Sequence, residues 1–105
     1  MPDDAAPAHS IEAAWFVQAT YAPDAAETRV PFRVRHLERM ARLRAEGVVI
    51  EVGAFAGVSA SIVILRVATE AEALEVCWQD VYMQNGVWVE LRAKPFGRLR
   101  LDEAG

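Results

Sequence analysis

The stretch Ser61-Ile62-Val63-Ile64-Leu65-Arg66-Val67 decides the fold class, because it is rich in β-branched residues and apolar at both alternating sets of positions. A strand with one face in water would alternate apolar with polar side chains, so this stretch predicts a strand that is covered on both faces. Residues 48–52 have the same character and precede it across a short turn that contains Gly53 and Gly57. The two segments together predict a β-hairpin.

Two further strands and two helices are predicted around this hairpin. The first helix has Pro31 in its opening turn and Gly47 as its stop, and the second begins at a capping box. The predicted order is β-α-β-β-α-β, with a strand at 15–21, a helix at 31–46, strands at 48–52 and 61–67, a helix from Thr69 and Glu72 onward, and a strand at 87–96 that Pro95 ends. This is the ferredoxin-like plan of an α+β domain, with both helices on one face of a four-stranded antiparallel sheet. The other face would be left open, so the pattern also predicts dimerisation through the sheet.

The composition excludes several classes of protein. The chain has 105 residues, which is the size of one domain, and 53% apolar residues exclude a disordered chain. No apolar run approaches the length of a membrane span, and a net charge of −4 excludes an electrostatic footprint for nucleic acid. One cysteine and no signal-peptide pattern predict a cytoplasmic location. We expect a mobile arm at residues 1–14, one domain at 15–99 and a tail at 100–105.

His36 is the first candidate functional residue. At 100° per residue it lies inside the apolar arc of the first helix, among Phe32, Met40 and Leu43. A titratable ring on the buried side of a helix needs a partner, which is either a backbone group in the core or a side chain of an active site. Arg33 lies one turn earlier on the same side, where it is either a surface side chain at a helix end or a ligand contact.

Asp80 is the second candidate, because it falls near the end of the second predicted helix. A carboxylate there meets the negative end of the helix dipole, which is unfavourable. One interpretation is that Asp80 caps the short turn at residues 81–84, and the other is that it has a functional partner.

Other motifs have simpler interpretations. The segment Glu51-Val52-Gly53-Ala54-Phe55-Ala56-Gly57 is similar to the glycine-rich loop of S-adenosylmethionine-dependent methyltransferases, but a strand follows it where that fold needs a helix. We therefore interpret it as a hairpin turn. We interpret Cys77 as a small buried apolar residue, and we interpret the three tryptophans as core or interface residues. The sequence contains no metal-ligand cluster, no P-loop and no serine nucleophile elbow.

Several of these segments occur in one known family in the same order. The helix segment Arg33-Val34-Arg35-His36-Leu37 resembles the Arg-x-x-His-Leu helix of the YciI-related proteins. The later segments Asp80-Val81-Tyr82, Gly86-Val87 and Lys94-Pro95-Phe96 are similar to that family's Asp-Pro-Tyr, Gly-Val and Lys-Pro-Phe segments, with Val81 standing where the family often has proline. The resemblance implies a dimeric α+β barrel and an active site built on a His-Asp pair, which maps onto His36 and Asp80.

The resemblance also implies a small enzyme without a cofactor or a metal. His36 would be the general acid and base and Asp80 would orient its ring, while Arg33 would bind an anionic group and Tyr82 would line the pocket. The expected chemistry is isomerisation, elimination or dehalogenation of a small cyclic or aromatic substrate, and at least one family member is associated with dechlorination of an aromatic intermediate. The expected partners are that small molecule and a second copy of the chain, as a homodimer or higher homo-oligomer. The alternatives are a non-catalytic ligand-binding or interaction module and a cofactor-independent monooxygenase.

Overall fold

The structure is a computed structural model of the chain, and it describes residues 9–101. Four strands and four helices follow one another along the chain, with one 3-10 turn at Val30–Phe32. Their bounds are β1 His9–Tyr21, α1 Ala25–Thr28, α2 Arg33–Ala45, β2 Val49–Ala54, β3 Ala60–Leu65, α3 Glu70–Trp78, α4 Val81–Gln84 and β4 Trp88–Leu101. None of the described helices is long and apolar enough to cross a membrane.

The strands form one antiparallel sheet in the order β2-β3-β1-β4. This order confirms the predicted ferredoxin-like α+β plan. The central strand β3 has Val63 and Leu65 completely buried in the core beneath the helices. Ile62 and Ile64 alternate with them on the opposite face, where both are half-buried. The two apolar faces of this strand therefore lie in different surroundings. One face packs into the core beneath the helices, and the other lies on the open side of the sheet.

Both long helices have the terminal signals that the sequence predicts. Gly47 ends α2 with a φ of +84°, and the N–H groups of Gly47 and Val48 donate to the carbonyls of Arg44 and Leu43. This pair of bonds is a Schellman motif, which needs a left-handed residue at the position of Gly47. At the start of α3, the Thr69 hydroxyl accepts from the Glu72 N–H while the Glu72 carboxylate accepts from the Thr69 N–H. The predicted capping box is thus confirmed.

The outer strands are longer than the sequence predicts. Strand β1 begins at His9 rather than at residue 15, and β4 continues to Leu101, so that residues 9–14 pair with residues 96–101. Pro95 does not end β4, because β4 lies at the edge of the sheet, where a missing N–H is tolerated. Part of the predicted arm and the start of the predicted tail are therefore strand, and the rest of both lies outside the described residues.

The glycine-rich segment is a hairpin turn, as interpreted from the sequence. Strand β2 ends at Ala54, β3 begins at Ala60, and the Phe55 N–H donates to the Ala60 carbonyl at 2.9 Å. Gly57 and Val58 both have positive φ in this turn, at 91° and 57°. No helix follows the turn to provide a nucleotide site.

Candidate active site

Helix α2 buries a narrow stripe against the sheet, formed by His36, Met40 and Leu43. The predicted apolar arc is wider than this stripe, since Val34 and Leu37 are largely exposed. Burial at i, i+4 and i+7 is what a helix shows when it rests on a sheet along a single line. His36 therefore lies in the contact between helix and sheet, where its exposed fraction is 5%.

The predicted pair of side chains is in contact. His36 Nδ1 lies 2.8 Å from Asp80 Oδ1, although 44 residues separate them along the chain. Asp80 is completely buried, and it occupies the corner between α3 and α4. Helix α3 ends at Trp78, and Asp80 caps the positive end of α4, where its Oδ1 accepts from the Tyr82 N–H at 2.9 Å, as one of the two interpretations of Asp80 predicts. Asp80 thus caps α4 and contacts His36 with the same oxygen atom.

Arg39 completes the surroundings of the carboxylate. Its Nη1 donates to Asp80 Oδ2 at 3.0 Å, and its Nη2 donates to the Val76 carbonyl at 2.8 Å. Burial raises the pKa of Asp80, but the hydrogen bonds from His36, from the Tyr82 N–H and from Arg39 outweigh it, so the pKa of Asp80 is lower than usual. An ionised Asp80 can only accept, so the bridging proton belongs to His36 Nδ1. With one proton on Nδ1, the tautomer that can act as a general base has its lone pair on Nε2.

Two aromatic side chains pack against the His36 ring and fix its orientation. The Tyr82 ring stacks on His36 with centroids 3.9 Å apart and planes 7° apart, and Trp88 meets the same ring edge-on at 5.3 Å. Both aromatic side chains are buried. The pKa of Tyr82 is raised, chiefly by burial, so its phenol stays protonated at neutral pH. Trp88 Nε1 has no hydrogen-bond partner within residues 9–101.

His36 opens onto a cavity of about 220 Å³ between α2 and the hairpin of β2 and β3. Tyr82 and Arg33 line this cavity together with His36, whereas Asp80 lies behind the histidine and is not among the lining residues. Leu37, Met40 and Val52 provide apolar wall. The arrangement is a small pocket lined by an imidazole ring, with a carboxylate bound to the Nδ1 side of that ring.

Three residues of this site were missed by sequence reasoning. The sequence patterns assign no role to Arg39 or Arg29, and for Trp88 they indicate only a core or interface position. Arg39 had a local signal, because it lies three residues after His36 and therefore on the same side of α2. Trp88 and Arg29 had none, since only the packing of β4 and of the turn before α2 brings them to the site.

Cys77 is not among the residues that line the pocket. Cys77 is completely buried, and burial, followed by the nearby Asp80 charge, raises the pKa of its thiol to about 12. A protonated, buried thiol is a poor nucleophile, which agrees with the prediction that Cys77 is a packing residue. In the described part of the chain, no three His, Cys, Asp or Glu side chains are grouped so that they could hold a metal ion.

The fold and the site define a small α+β domain with an antiparallel sheet and a buried His-Asp pair behind a pocket. The chain belongs to the YCII-related domain family, whose pattern matches residues 13–97. The resemblance to the YciI-related proteins is thereby confirmed. No curated protein matches the chain.

A solved structure supports the fold. The 5-chloro-2-hydroxyhydroquinone dehydrochlorinase TftG from Burkholderia phenoliruptrix, in complex with 2,5-dihydroxybenzoquinone, superposes with a TM-score of 0.69. The match covers 79% of this chain and 92% of that chain, with 14% sequence identity. At this identity the likeness establishes a shared fold.

Proposed function

We propose that the protein is an enzyme in which His36 moves protons to and from a small cyclic or aromatic metabolite. The observation that carries the proposal is the 2.8 Å bond from His36 Nδ1 to a buried, ionised Asp80, on a ring that lines an open pocket. A carboxylate behind an imidazole fixes the tautomer and stabilises the imidazolium that forms when the other nitrogen takes a proton.

The proposed reaction begins when Nε2 removes a proton from a carbon or oxygen of the substrate. The positive charge that forms on His36 is stabilised by Asp80, which keeps its negative charge because Arg39 and the Tyr82 N–H hold its oxygens. Tyr82 keeps the ring in place by stacking on it. In this scheme the chain holds the base in one orientation before the substrate arrives, which lowers the reorganisation needed for the proton transfer.

The electron pair of the broken bond can then take part in either of two reactions. In an isomerisation they shift a double bond, and the His36 imidazolium returns its proton to a different atom. In an elimination they form a new double bond as a leaving group such as chloride departs with its own electron pair, and the imidazolium later gives its proton to water. Both routes are balanced without an external oxidant or reductant.

The pocket is of the right size for one ring. An apolar cavity of about 150 Å³ holds benzene, and the cavity beside His36 measures about 220 Å³. The structural neighbour is a dehydrochlorinase solved with a dihydroxybenzoquinone, and this supports a substituted six-membered ring as the substrate class. Arg33 and Tyr82 are the residues that we assign to substrate binding.

The proposal is tested by following solvent deuterium incorporation and chloride release. Chlorohydroquinone, 5-chloro-2-hydroxyhydroquinone and cyclohex-2-enone are incubated with the protein in D₂O, and NMR monitors both their ring protons and the ring signals of His36. We expect at least one compound to shift the His36 signals and to exchange a proton or lose chloride faster than in buffer. Compounds that shift the His36 signals without any turnover would instead indicate a non-catalytic binding module.

We also propose that two copies of the chain pair through the open face of the sheet. Phe16, Ile62 and Ile64 lie on this face, and Phe96 of the edge strand stacks on Phe16 with centroids 6.4 Å apart. A second copy would remove this apolar surface from water. Light scattering at micromolar concentration is expected to give about twice the monomer mass of 11.6 kDa.

A charged substitution on that face tests the pairing. Ile64→Asp is expected to give a folded monomer, because a buried carboxylate without a partner opposes the interface. Val34→Asp is the matched control, since Val34 is 67% exposed on α2, away from the sheet. A wild-type protein that stays monomeric at high concentration would contradict the proposal.

A further inference from the structure

We infer that Arg29 and Arg33 form an anion subsite in the pocket, and that this subsite binds the carboxylate of a small ring acid. The inference rests on the proposed function and deepens it, because it names the charge and the class of the substrate. The resemblance to the YciI-related proteins implies that Arg33 binds an anionic group, but it implies nothing about Arg29.

The two guanidinium groups come from neighbouring positions of the backbone. Arg29 follows the last residue of α1, Arg33 is the first residue of α2, and the 3-10 turn Val30–Phe32 connects them. Both side chains line the same cavity as His36 and Tyr82. Neither forms a salt bridge with an acidic side chain within residues 9–101.

The rest of the pocket leaves these charges uncompensated. No Asp or Glu among residues 9–101 lines the cavity, and the Asp80 carboxylate behind His36 is already bound by Arg39. The first turn of α2 also contains no acidic residue and no side-chain cap, so the positive end of this 13-residue helix adds to the same potential. The pocket is therefore electropositive although the whole chain carries a net charge of −4.

Tyr82 adds a neutral donor to the two cations. Tyr82 lines the same cavity as Arg29 and Arg33, and burial raises the pKa of its phenol, although the charges of the two arginines act in the opposite direction. A protonated phenol beside two guanidinium groups can donate to an oxyanion, and a guanidinium can bind both oxygens of a carboxylate at once.

The apolar residues of the cavity wall indicate that the ligand also contains an apolar ring. Leu37, Met40 and Val52 are apolar, and with the His36 ring they accommodate the ring of a ligand whose carboxylate is held by the arginines. In this pose the ring carbons lie against His36. The same positive charges would stabilise the negative charge that builds up on the substrate when His36 removes a proton.

The test compares acids with their neutral amides. Benzoate and benzamide form one pair, and cyclohex-1-enecarboxylate and its amide form another, with binding followed through the His36 ring signals by NMR. We expect each acid to bind at least about tenfold more tightly than its amide, since a hydrogen bond to a charged group contributes about 1.5–3 kcal/mol.

Arg29→Gln and Arg33→Gln are each expected to weaken binding of the acids roughly tenfold and to leave binding of the amides unchanged. Arg44→Gln is the control, because Arg44 is an exposed arginine in the last turn of the same helix and the substitution changes the net charge equally. Thermal unfolding of the unliganded variants verifies that they are folded.

The inference is overturned if the amides bind as tightly as the acids, if neither acid binds, or if the two glutamine variants retain wild-type affinity. These outcomes differ from a failure of the proposed function. If the Arg29→Gln and Arg33→Gln variants turn over neutral rings and bind acids as the wild type does, the proposed function stands and the anion subsite is wrong. If acids bind in a way that depends on the arginines but no substrate is turned over, the anion subsite stands and the proposed function is wrong.

Discussion

Replacing His36 with glutamine is expected to lower the rate of proton transfer to or from a bound substrate by about 10²–10⁴-fold, the usual contribution of a positioned general acid or base. Glutamine retains an N–H that can face Asp80 Oδ1, but its amide has no basic nitrogen to take the place of Nε2. The measurement is the rate of deuterium incorporation, or of chloride release, with the compound that the wild type turns over.

The chain contains one other histidine, which provides the matched control. His9 lies at the start of β1, opposite Leu101, far along the strand from the pocket. His9→Gln should therefore keep the wild-type rate. Equal rates for the His36→Gln variant and the wild type would show that another group moves the proton, and the proposed dyad would then be wrong.

Replacing Asp80 with alanine is expected to lower the free energy of unfolding by about 3–5 kcal/mol, the usual effect of removing one partner from a buried ion pair. The substitution leaves the Arg39 guanidinium, which is largely buried, without its carboxylate, and it removes the cap of α4. Urea denaturation of the two proteins at neutral pH measures the difference.

Asp24→Ala is the matched control, because Asp24 also precedes a four-residue helix but its side chain makes no capping bond. We expect that variant to lie within about 0.5 kcal/mol of the wild type. Asp80→Asn should fall between the two, since asparagine keeps an acceptor for the Tyr82 N–H but loses the charge and the second oxygen, which accepts from Arg39. Equal stability of Asp80→Ala and Asp24→Ala would contradict the network described for Asp80.

The stability that Asp80 contributes is also expected to depend on pH. Its folded pKa is lower than usual, so the folded protein binds this proton less tightly than the unfolded chain does. The contribution is therefore complete above the unfolded value of about 3.9 and is lost as the pH falls through the lower folded value. The difference in unfolding free energy between wild type and Asp80→Ala should be largest near neutral pH and should narrow in acid.

The element order could be predicted because it rests on local signals. The period of the apolar residues, the capping box at Thr69 and the glycine stop at Gly47 act within one or two turns of chain, and all of them are found where expected. The strand ends could not be predicted, because they depend on pairing across the chain. Residues 9–14 become a strand through their bonds to residues 96–101, helped by the ion pair between Glu12 and Arg98.

The sequence by itself determined that His36 faces inward on its helix, that Asp80 stands at a helix end, and, through the family's pattern, that the two belong together. Only the tertiary structure decided how they meet. The packing also brings Arg39 into contact with Asp80, stacks Tyr82 on the imidazole, and brings Arg29 to the pocket. The reason is that helix periodicity states only which way a residue faces, whereas a contact between residues 44 positions apart requires the packing of α2 against the corner between α3 and α4.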